Sequence, residues 1–70
     1  MEDFVLDGKD YKLVTKASLN GNNYVYLAEI EDDDITGNFY VYMKNNDGYN
    51  KVTDPEKLKR VLLVLTANLI

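Results

Sequence analysis

Only the stretch from Asp54 to Ile70 has the period of a helix, and a single helix can cover just one face of a sheet. Asp54 offers an oxygen to a first-turn amide, Pro55 suits the first helical position because it has no amide to satisfy, and Glu56 complements the positive helix end. Leu58, Val61, Leu62, Leu65 and Leu69 then recur at steps of three and four, which puts them on one side. That side is expected to be a core face.

Everything ahead of the helix reads as strands separated by turns. Phe4-Val5-Leu6 closes at Asp7-Gly8, and Tyr11 to Leu19 alternates with period two up to Asn20-Gly21, the strongest short-range hairpin signal in the chain. Tyr24 to Glu31 is apolar on both sides, as a central strand would be. Glu31 to Gly37 reads as an acidic loop, Phe39 to Lys44 alternates again, and Asn46-Asp47-Gly48 turns the chain into Tyr49 to Thr53. The expectation is one α+β domain over 1–70. It is an antiparallel four- to five-stranded meander, with strands at about 4–6, 11–19, 23–31, 38–44 and 49–53, and one C-terminal helix at about 55–68 packed on one face.

Which sheet face meets the helix depends on register, since a one-residue shift exchanges the two. A three-residue turn with a glycine bulge at Asn20-Gly21 puts Leu13, Ala17 and Leu19 on a face with Val25 and Leu27. A matching register at the acidic loop adds Phe39, Val41 and Met43. We take that arrangement as the expectation, because aliphatic residues then meet the helix leucines. A two-residue turn would break it.

The succession Tyr11 to Ala17, Gly21, Tyr24-Val25-Tyr26-Leu27, an acidic loop, Phe39-Tyr40-Val41-Tyr42, Asn46-Asp47-Gly48 and Asp54-Pro55-Glu56-Lys57-Leu58 resembles the YrzB-like family of small acidic bacterial proteins. The resemblance covers most of the chain and rests on turn glycines and alternating apolar residues. It implies a bacterial cytoplasmic setting and carries over no functional residue. Lys57, Lys59 and Arg60 stand where that family is usually acidic.

Composition limits the chemistry. With neither Cys nor His among 70 residues, disulfides and the usual zinc ligands are absent, as are a neutral-pH imidazole and a thiolate. Ser18, Thr15, Thr36, Thr53 and Thr66 sit in no nucleophile motif, so the expectation is a protein without catalytic, cofactor-binding or metal-binding residues. Asp32, Asp34, Thr36 and Gly37 match the first half of a calcium loop, but Met43 stands where a bidentate Glu is needed, and the reading is a solvated hairpin loop. A content of 46% hydrophobic residues favours a folded chain. The acidic start Met1-Glu2-Asp3 lacks the basic character of a secretory signal, and the longest apolar segment is far short of the ~20 residues that cross a bilayer, so a cytoplasmic protein without membrane contact is expected.

Two surfaces are left for partners. In the expected register Tyr24, Tyr26, Tyr40 and Tyr42 share the uncovered face with Lys12, Lys16 and Lys44, a set suited to a protein interface or to stacking bases and holding phosphates. Ordinary cross-strand tyrosine pairing accounts for the same residues without any partner. Leu63, Ala67 and Ile70 project away from the helix core stripe and suit a homodimer contact, or equally a frayed, exposed helix end. The leading reading is a non-enzymatic protein-interaction domain whose partner is a protein or a second copy. The alternative is single-stranded nucleic-acid binding, which a net charge of −4 opposes. A minor alternative is an acidic phage-type inhibitor that mimics nucleic acid through Glu29 to Asp34.

Overall fold

The computed structural model describes residues 3–67. It contains β1 (Asp3–Leu6), β2 (Lys9–Leu19), β3 (Asn22–Glu31), β4 (Asp34–Asn45), β5 (Gly48–Lys51) and α1 (Pro55–Ala67). The strands form one antiparallel sheet in sequence order, the α+β meander that the turn signals predict. At the start of α1 the Glu56 amide donates to Asp54 Oδ1 at 3.2 Å, so Asp54 caps the helix as its sequence position predicts.

The register departs from expectation at Asn20-Gly21. Leu19 pairs with Asn22, so the turn has two residues, with φ of 53° at Asn20 and 80° at Gly21. Both positive angles match the right-handed twist of the flanking strands, as in a type I′ hairpin. Ala17 therefore faces Tyr24, and Tyr24 and Tyr26 turn toward the helix while Val25 and Leu27 turn away. Val14 forms a bulge between Leu13 and Thr15, which sends Leu13 to the Leu27 side but leaves Ala17 and Leu19 under the helix. A Cβ at Gly21 would meet nothing within 4 Å, so the penalty for adding one lies in the left-handed backbone. Gly21→Val should cost ~1–2 kcal/mol and lower the thermal midpoint by roughly 5–15 °C. An unchanged midpoint in a calorimetric scan would show that the turn does not depend on this conformation.

The acidic segment is likewise a tight turn and not a loop. Asp32 and Asp33, with φ of 53° and 67°, connect β3 directly to β4, whose first residues Asp34 and Ile35 pair with Glu31 and Ile30. Short polar side chains tolerate this left-handed conformation, which lets two aspartates replace the usual Asn-Gly.

Two cores result, one on each sheet face. On the convex face α1 lies chiefly over β2 and β3 and packs Val61 and Leu65 against Tyr24, Val41 and Val52, flanked by Leu58, Leu62, Tyr26 and Met43. The helix core stripe is thus as predicted through Leu65, while Leu69 lies outside the described residues. The other face is not open. The sheet curls until Phe4 of β1 meets Tyr49 of β5, their rings edge-to-face at 5.4 Å. Inside the curl Tyr11, Val25, Leu27 and Tyr42 are buried together. Strand twist, the Val14 bulge and a second bulge in the β3–β4 pairing between Ala28 and Ile30 allow a short sheet to cover its own second face.

Candidate functional site: the mouth of the curled sheet

The seven residues expected on one tyrosine face are divided between the two sides. Tyr24, Tyr26 and Lys12 face the helix side, and Tyr40, Tyr42, Lys16 and Lys44 face the concave side, because successive residues of β3 and β4 alternate from the register set at Asn20-Gly21. Tyr24 is 2% exposed and Tyr42 4%, so neither offers a ring to a partner. Tyr26 stacks on Phe39 at 5.6 Å, and Tyr40 lies under the Lys51 ammonium at 4.5 Å. Lys12 pairs with Asp3 at 3.5 Å. Of the expected helix contact residues, Leu63 and Ala67 are exposed, and Ile70 lies outside the described residues.

Lys16 and Lys44 remain together. They flank a groove of about 520 Å³ at the end of the curl that carries the Asn20-Gly21 turn. Leu13, Val25, Phe4 and Tyr49 give the groove an apolar floor. Ser18 and Asn23 form its polar lip, joined by a 2.6 Å hydrogen bond from the Ser18 hydroxyl to Asn23 Oδ1. The described residues lining it include two lysines and no carboxylate. The sequence reading missed Phe4 and Tyr49, because only the closure of the curl brings the first and last strands together. Their aromatic character in short flanking strands was the available signal.

The opposite end of the curl has the reverse electrostatics. Asp7, Asp10, Glu29, Glu31, Asp32, Asp33 and Asp34 gather where the β1–β2 and β3–β4 turns lie side by side. Glu29 is the one buried carboxylate among the described residues. Opposite it, Thr36, Gly37 and Asn38 bulge from β4, and both flanking side chains return to the same oxygen: the Thr36 hydroxyl donates to Glu29 Oε1 at 2.9 Å and the Asn38 amide at 3.2 Å. Lys9 approaches Oε2 at 3.7 Å. The Asn38 and Thr36 hydrogen bonds, supported by the Lys9 charge, outweigh burial and hold the Glu29 carboxyl below its ordinary range.

Among the described residues no cluster of acidic side chains has the arrangement to hold a metal ion, and no helix is long and apolar enough to cross a membrane. Compared with known proteins, the chain matches no family model, no curated protein and no solved structure.

Proposed function

We propose that this chain is a non-enzymatic protein-interaction domain whose contact surface is the lysine-flanked mouth of the curled sheet. The observation that carries the reading is the placement of Lys16 and Lys44 on either side of a concave, partly aromatic groove that, among the described residues, has no carboxylate in its lining. An amphipathic concavity of this kind suits an anionic segment that also has apolar side chains to bury. Catalysis is disfavoured by the state of the most enclosed acid. Glu29 is saturated with donors and kept ionised, whereas a general acid or base at neutral pH needs its pKa moved toward the working pH.

The nucleic-acid alternative relied on four tyrosines forming one stacking platform, and the register divides them between the two faces and buries Tyr24 and Tyr42. The protein reading keeps the two lysines and needs no such platform.

The test is titration of the isotope-labelled protein with a hexaglutamate peptide, a hexalysine peptide and oligothymidylate at low salt. Hexaglutamate should shift the amides of Lys16, Asn23, Lys44 and Tyr49, and hexalysine should not. With each exposed ion pair worth ~0.2–1 kcal/mol, Lys16→Glu combined with Lys44→Glu should weaken hexaglutamate binding by roughly tenfold. Equal binding by the double variant, or binding of oligothymidylate in place of the peptide, would remove this reading.

A further inference from the structure

The mouth ends in one continuous row of polar side chains. Ser18 of β2 pairs directly with Asn23 of β3, Asn23 with Lys44 of β4, and Lys44 with Tyr49 of β5. Directly paired residues of neighbouring strands share a face, with Cβ atoms ~4.5–5.5 Å apart, so the four side chains form a line across the sheet. All four line the groove. The Ser18 hydroxyl donates to Asn23 Oδ1 at 2.6 Å, so what the Asn23 side chain has left to offer is its amide hydrogens, beside the ammonium of Lys44.

Two adjacent donor groups, one of them charged, match the two oxygens of a single carboxylate. Past the row, the β4–β5 turn carries Asp47, which opposes a run of several carboxylates. Toward the interior the next residue on the same face of β3 is Val25, ~7 Å from Asn23 along the strand, and Leu13 and Phe4 continue the apolar floor. At about 520 Å³ the groove has the size of a small-ligand site, enough for the end of a chain and too little for a helix or a sheet. The group that fits has one carboxylate and one apolar side chain close together. The C-terminal residue of a polypeptide carries both on the same Cα. In an internal Glu the carboxylate is itself the end of the side chain, and nothing apolar on that residue reaches the floor.

Resting on the reading of the mouth as a protein contact, we infer that the partner enters as a free C-terminus: its terminal carboxylate meets Asn23 and Lys44, and the apolar side chain of its last residue lies on Val25, Leu13 and Phe4. The carboxylate contact does not involve Lys16, which pairs with Val25 one step deeper. Capture of a chain end takes its selectivity from a charge that internal segments of a polypeptide lack.

The experiment titrates the isotope-labelled protein with an acetylated hexapeptide of Gly and Ser ending in a free-acid Val, its C-terminal amide, the same peptide ending in Gly, amidated hexaglutamate, and octanoate. The free-acid Val peptide should shift the amides of Ser18, Asn23, Val25, Lys44 and Tyr49. Amidation should weaken binding roughly tenfold or more, because a charge-assisted contact is lost. Replacing the final Val by Gly should weaken it roughly fivefold through lost apolar burial. Asn23→Asp combined with Lys44→Gln should abolish binding of the free acid, whereas Lys59→Gln, which removes one charge from an exposed position on the helix, should leave it unchanged. If the amide binds as well as the free acid, or if amidated hexaglutamate binds and the free-acid Val peptide does not, the C-terminal assignment is overturned while the mouth reading stands. Binding of octanoate without the peptide would assign the groove to small amphipathic carboxylates and overturn it too. If none of the peptides binds and octanoate does not bind either, the mouth reading falls as well.

Discussion

Leu65→Ala is expected to abolish cooperative folding. Leu65 is 0% exposed and, with Val61, joins the helix to Tyr24, Val41 and Val52 of the sheet. Truncating a fully buried leucine costs ~2–5 kcal/mol through lost transfer energy and the cavity left behind. A core in a chain of this size rarely supplies more than ~3–5 kcal/mol of net stability. The loss is therefore comparable to the whole margin, and the variant should show little or no sigmoidal transition in urea by circular dichroism at 25 °C. Leu63→Ala is the matched control, on the same helix but 66% exposed, and should unfold near the wild-type midpoint. A wild-type midpoint for Leu65→Ala would mean that the helix is not the lid of the convex core.

The second large effect belongs to the concave core and depends on pH. Tyr42 lies against Tyr11, ring centroids 5.9 Å apart, with the two hydroxyls at 3.5 Å. Tyr42→Ala removes a buried aromatic ring from the curl and should cost ~3–5 kcal/mol by analogy with other buried aromatics. The phenol makes a further contribution at high pH. Burial, followed by the Tyr11 hydroxyl, raises the Tyr42 pKa above its ordinary value of 10.0. For a group raised on folding, the stabilising contribution is complete below the unfolded pKa and declines as pH rises above it. Stability should therefore decline above a pH of about 10, where the unfolded chain releases the Tyr42 proton and the folded chain retains it. Tyr42→Phe keeps the ring and cannot ionise, so its urea midpoint should stay close to wild type at pH 7 and exceed wild type in the alkaline range. Parallel alkaline decline of the two proteins would show that Tyr42 ionisation does not contribute.

Much of the fold is legible in the sequence because its punctuation is chemically strict. Asp7-Gly8 and Asn20-Gly21 mark hairpins, Asp54-Pro55-Glu56 marks the helix start, and the three-and-four spacing from Leu58 to Leu65 marks its buried side. The facing of β3 was not legible, for a physical reason. Tyr24, Tyr26 and Ala28 on one side and Val25 and Leu27 on the other are both apolar enough to be buried, so alternation cannot say which side meets the helix. The decision passes to the length of one turn, and either length is compatible with Asn-Gly. Charge concealed the start of β4 in the same way, since Asp32-Asp33-Asp34 looks like a solvated loop until the left-handed angles of Asp32 and Asp33 are seen.

The candidate site was legible only in part. Lys16 and Lys44 are two of the residues expected at an interface, and they remain on one concave side because both lie in register with the Val25 side of β3. Phe4 and Tyr49 enter the same groove through closure of the curl, a long-range event without a local sequence signature.

The separation of charge along the curl affects how the molecule meets others in solution. A chain of net charge −4 should repel an acidic segment at long range, yet seven of its carboxylates are gathered at the end remote from Lys16 and Lys44. Such a molecule has an electric dipole directed along its strands. At separations within a Debye length, ~8 Å at physiological ionic strength, an approaching acidic segment experiences the nearer end more than the net charge. Encounters are thus biased toward arrival at the mouth, with the acidic turns trailing. The dipole can orient a partner before any contact is made, and added salt should slow that arrival.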